Sequence, residues 1–130
     1  MNYAIPAALL WATACVEPST QVPLDQDFEI AVGQTVAIAG TAHTLTFEAV
    51  PEDSRCPIDA ICIWAGNARV SLRMAETGKD SSIALNTYSE PRSVTLDNLR
   101  LELRALLPAP RAATPTPPDT YRATLRVTRP

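Results

Sequence analysis

The feature that most constrains this chain is a side-chain period of two. From Asp27 onward, apolar residues return at every second position and polar ones fill the gaps. Phe28, Ile30 and Val32 form one such run, Val36 and Ile38 a second, and Leu45, Phe47 and Ala49 a third. Ala68, Val70, Leu72 and Met74 alternate with Arg69, Ser71, Arg73 and Ala75. Further runs are Ile83–Leu85–Thr87, Val94–Leu96, Leu99–Leu101–Leu103 and Tyr121–Ala123–Leu125–Val127. Successive side chains of a strand point to opposite faces, so this pattern specifies strands with one buried face, whereas a helix would repeat at 3.6. Gly33-Gln34, Gly40, Gly66-Asn67, the polar stretch around Gly78 and Asp97-Asn98 punctuate the runs as turns. Ile61-Cys62-Ile63-Trp64 is read as one more short strand after a loop through Pro51 to Ala60. Leu99–Leu107 is rich in helix formers, but its alternation through Arg104 favours a strand. Pro108–Asp119 holds too many prolines for a central strand and is read as a loop or edge crossing. The expectation is an all-β fold of about seven to nine short strands with one disulfide: a single antiparallel β-sandwich (Ig-like) or a small barrel.

The 130 residues make one domain, with residues 27–130 forming the β unit. Residues 1–14 carry no charged side chain, and an apolar run ends in the small residues Ala12-Thr13-Ala14 before Cys15. Such a stretch is a secretory signal of the kind removed from the mature chain. With a cysteine directly after the small residues it resembles the lipobox of bacterial lipoproteins, with Ala12 where leucine is usual. The resemblance implies that Cys15 is lipidated and that the chain is cut before it. Residues 15–26, with two prolines and no period, read as an extended tether. The location expected is the bacterial cell envelope, membrane-anchored and facing the periplasm or exterior. Removing Cys15 leaves Cys56 and Cys62, which can pair in an oxidising compartment.

Five residues separate those two cysteines, and a bridge closing so small a ring stabilises by roughly 2 kcal/mol. Trp64 lies two positions beyond Cys62, where a strand would place its ring over the bridge. SRCP followed by CIWAGNA, spanning Asp53 to Val70, resembles a segment of small uncharacterised bacterial envelope lipoproteins. That resemblance implies an exported all-β lipoprotein and brings no activity with it.

The net charge of −3 argues against nucleic-acid binding, which calls for a basic stripe. No G-x-S-x-G, H-E-x-x-H or phosphate-binding glycine loop occurs, and no cofactor is expected, so the reading is non-enzymatic. The disulfide loop offers Asp53, Arg55, Asp59 and Trp64 as candidate site residues. Arg55 beside Cys56 could be held up to a protease, and Glu48, Glu52, Asp53 and Asp59 could gather around calcium, though without the spacing of a calcium loop. His43 with Cys56 and Cys62 would be a soft-metal set only if the thiols stayed reduced; otherwise His43 is an exposed strand-end residue. No bound metal is expected.

Charge is uneven along the chain. From Cys15 to Gly66 eight acids face one base, whereas from Asn67 onward ten bases outnumber six acids. Arg69, Arg73, Arg100, Arg104, Arg122 and Arg126 all alternate with apolar residues and would share a basic face if their strands were neighbours. Such a face would meet an anionic envelope surface or a protein. The function expected is that of a lipid-anchored, monomeric binding or structural module, with an inhibitory or metal-binding Glu52–Cys62 loop as the alternative.

Overall fold

The computed structural model describes residues 20–130. The proposed signal segment, Cys15 and the first part of the tether lie outside these residues. The described chain folds into nine strands and one short 3-10 turn at Pro118–Thr120. The strands are β1 (Gln21–Val22), β2 (Asp27–Ala31), β3 (Thr35–Ile38), β4 (Thr44–Asp53) and β5 (Ala68–Glu76), then β6 (Lys79–Asn86), β7 (Ser93–Leu96), β8 (Leu99–Leu107) and β9 (Arg122–Thr128). They form a five-stranded sheet in the order β1-β3-β4-β5-β6 and a four-stranded sheet in the order β2-β9-β8-β7.

The period of two decides which side chains meet. Val36, Ile38, Leu45, Phe47, Val70, Leu72, Met74, Ile83 and Leu85 point inward from the first sheet. Phe28, Ile30, Leu99, Leu101, Leu103, Leu106, Ala123, Leu125 and Val127 point inward from the second, and both sets belong to one core. The result is a sandwich rather than a closed barrel. A register shift between Leu103 and Ala105 lets β8 change step, so that Leu106 rather than Ala105 returns to the core.

Three local expectations need correction. The tether shortens, because Gln21–Val22 joins the sheet edge as a strand parallel to β3, with Val22 buried. Two backbone hydrogen bonds fix it, from Ala37 N to Thr20 O and from Ala39 N to Val22 O. That parallel pair also breaks the otherwise antiparallel arrangement. Finally, Ile61–Trp64 is not a strand: residues 54–67 form the loop between β4 and β5.

The strands run between two ends of the sandwich. At one lie the β4–β5 loop, residues 87–92 between β6 and β7, and the proline-rich connection between β8 and β9. At the other lie the β3–β4, β5–β6 and β7–β8 turns.

Candidate functional site

The first end is built around a buttressed loop. Where β4 stops and β5 begins, Ser54 N donates to Asn67 O at 2.7 Å, and Asn67 N donates back to Ser54 Oγ at 3.1 Å. Gly66 completes this neck with φ +68°, and any Cβ there would collide with the Ser54 carbonyl. Asn67 then ties in the neighbouring loop. Its Oδ1 accepts from Tyr88 N and Ser89 N, each at 3.0 Å, and its Nδ2 donates to Asn86 Oδ1.

Beneath the loop, Arg55 donates through Nε and Nη2 to both carboxylate oxygens of Asp53, at 2.9 and 2.8 Å. Two further N–H groups donate to the carbonyls of Leu106 at 2.7 Å and Pro108 at 2.9 Å. Tyr121 Oη–H donates to Asp53 at 2.8 Å, so one carboxylate joins β4, the loop and the residue that leads into β9. The paired side chains are only 14% and 11% exposed. The guanidinium hydrogen bonds hold the Asp53 carboxyl below its usual range against the opposing effect of burial, and the Tyr121 bond adds to the lowering. Burial first, and then the bond to Asp53, push the Tyr121 hydroxyl up. Arg55 is therefore a strut with its donors committed to carboxylate and carbonyls, and it is not held up to a protease. Asp59 is likewise engaged, its Oδ1 accepting from Ala112 N at 2.9 Å, while Ile58 N donates to Pro110 O.

On this base the Cys56–Cys62 disulfide closes the tip. Trp64 does not shield the bridge. It is 81% exposed, and Ile63 and Ile61 beside it are more so, at 92% and 104%. Ile58, Tyr88 and Leu107 are the remaining large exposed hydrophobics among the described residues, and all three belong to this same end. Sequence reasoning singled out Trp64 and missed Ile58, Ile61, Ile63, Tyr88 and Leu107. The available signal was the apolar run Ile61–Trp64 held between a cysteine-closed ring and a glycine.

The other candidates disperse. Arg69 and Arg73 lie on β5 in one sheet, whereas Arg100, Arg104, Arg122 and Arg126 lie on β8 and β9 in the other. No single basic face joins the six, because alternation tells which side of a strand a residue takes but not which sheet holds the strand. Most are also paired: Arg73 with Glu48 and Asp80, Arg69 with Glu52, Arg104 with Glu102 and Asp27, and Arg126 with Asp27. Arg100 donates to Ser93 Oγ. Glu48, Glu52, Asp53 and Asp59 each have a partner of their own, so the calcium set does not assemble.

At the far end His43 is not an exposed strand-end residue, being only 11% exposed. Its Nε2 lies 2.8 Å from Glu76 and 3.3 Å from Asp97, and Lys79 Nζ is 3.6 Å from the other Asp97 oxygen. Facing two carboxylates, Nε2 carries the proton, and Nδ1 is buried without a partner. The hydrogen bond from His43, and then the charge of Lys79, hold the Asp97 carboxyl below its usual range. These three side chains could offer one ligand atom each to a cation, and they also stand as a hydrogen-bonded clamp joining the two sheets. With Cys56 and Cys62 bridged, the metal set that included His43 does not form.

No protein-family profile, curated protein or solved structure matches this chain.

Proposed function

We propose that this protein is a non-enzymatic binding module of the bacterial cell envelope, exported and anchored by lipid at Cys15, which makes its contact through the apolar end of the sandwich. One observation carries the choice of surface. All six large exposed hydrophobic residues among the described residues belong to that end, five on its loops and the sixth, Leu107, at the last position of β8. Isolated exposed apolar residues are ordinary, but a clustered set marks an interaction site. The buried Asp53–Arg55–Tyr121 network and the disulfide hold the tip in one shape, which lowers the ordering cost of binding. An exported location accords with the disulfide.

The test uses full-length protein made in bacteria with a photo-crosslinking phenylalanine analogue at Ile63, at Ser71 or at Arg100. Intact mass of protein recovered from envelope membranes should show a chain beginning at a lipidated Cys15. Crosslinks should form from position 63 and not from the two sheet-face positions. An unprocessed chain, or crosslinks from the sheet faces alone, would overturn the reading.

A further inference from the structure

We infer that the apolar end binds the bilayer itself: Ile61, Ile63 and Trp64 enter the headgroup layer of the membrane and hold the sandwich tip-down on it. This rests on the reading above and supplies its partner.

The shape of the tip favours a lipid surface over a protein groove. Ile61 and Ile63 are as exposed as side chains in an open peptide, on a convex projection. A deformable bilayer accommodates such a projection without a matching cavity. The chemistry fits as well. Between Cys56 and Ala68 the one ionisable side chain is Asp59, and its Oδ1 is already bonded to Ala112 N. Arg55 is withdrawn beneath the loop. Trp64 and Tyr88 are the residue types that settle at membrane–water interfaces, with apolar ring and polar tip both satisfied. Loop backbone cannot enter hydrocarbon with its peptide groups unpaired, which sets the depth at the headgroup–acyl boundary rather than the bilayer centre.

The chain path adds an independent argument. β1 runs parallel to β3, so its N-terminal side points along the sheet from Ile38 towards Thr35. β4 is antiparallel to β3 and runs in that same direction, past Thr46 and on to Asp53 and the tip. The polypeptide therefore enters the sandwich from the side of the apolar end. Five residues connect Cys15 to Thr20, a span of at most about 17 Å. Thr20 stands level with Leu45, about 20 Å along the sheet from the Asp53–Ala68 pair at the base of the tip, so the tether leads Cys15 towards the apolar end, and the sandwich leans for the lipid and the tip to meet one surface.

The experiment reads Trp64 directly. Lipidated protein beginning at Cys15 has Trp64 as its one tryptophan, because Trp11 leaves with the cleaved segment. It is reconstituted in phosphatidylethanolamine–phosphatidylglycerol vesicles with brominated acyl chains. We expect blue-shifted emission quenched by the bromines and shielded from aqueous acrylamide, little changed by high salt. Ile61→Ser with Ile63→Ser should lower the insertion equilibrium about tenfold while leaving the circular dichroism spectrum intact. Emission that stays red and open to acrylamide on vesicles would overturn the inference. If Trp64 were then shielded in native envelope membranes, the partner of the apolar end would be a protein and the binding-module reading would stand. If it stayed open there too, both would fall.

Discussion

The two ends of this sandwich are built from the same strands and solve opposite problems. At the far end short turns bring His43, Glu76, Lys79 and Asp97 together, and the polar groups that face water there pair across the two sheets. At the apolar end the connections are long, and the pairing is reversed. Asp53, Arg55 and Tyr121 are drawn inward, while Ile61, Ile63 and Trp64 are pushed outward. Burying an ion pair to raise three apolar side chains into water is a poor way to stabilise a domain, since both choices cost free energy. The contrast teaches that the far end is organised for closure and the apolar end for contact. Stability should therefore reside beneath the tip and not in it.

The sharpest way to break that comparison is to remove the buried carboxylate. Asp53→Ala strands a guanidinium 14% exposed and a buried tyrosine hydroxyl, and should cost about 3 kcal/mol in chemical denaturation. The same carboxylate gives a pH test. Its folded pKa is lowered, so the stability it confers is fully present above the unfolded value near 3.8 and is lost as pH falls through the folded value. Wild type should lose stability over that acidic window more steeply than Asp53→Asn, as followed by urea unfolding at each pH. Replacing Cys56 and Cys62 together with serine should cost roughly 2 kcal/mol and leave the sandwich folded. At the far end His43→Ala should cost about 1 kcal/mol, because Lys79 still neutralises Asp97 and the carboxylates are already solvated. The smallest effect should come from the tip. Ile61→Ser, Ile63→Ser and Trp64→Ser combined should change stability by no more than about 0.5 kcal/mol while abolishing contact, as read by loss of the membrane-dependent protection of residues 58–65 from hydrogen–deuterium exchange.

The sheets were legible in the sequence because alternation and burial share one cause. The inward positions of the named runs keep the period of two except where a strand changes register, in β4 after Phe47, which leaves Ala49 exposed, and in β8 after Leu103. β1 was not legible, since a two-residue strand carries no period, and Val22 is the one residue of it that reaches the core. The disulfide followed from cysteine number and spacing. The tip was misread for a physical reason: apolarity ordinarily signals burial, so Ile61, Cys62, Ile63 and Trp64 read as a core strand. Only the register of β4 with β5, which ends at Asp53 and Ala68, shows that nothing pairs with that run. His43 escaped for another reason, because Glu76 and Asp97 lie far from it in the chain and meet it through turns of different sheets.

Hydrogen–deuterium exchange of the full-length lipidated protein, with and without envelope membranes, compares the two ends in one measurement. Membranes should slow exchange in residues 58–65 and around Tyr88, leaving the β3–β4, β5–β6 and β7–β8 turns unchanged. Protection confined to the far-end turns, or to the arginine-bearing outer faces of β5, β8 and β9, would contradict a division of the molecule into a closed end and a contact end.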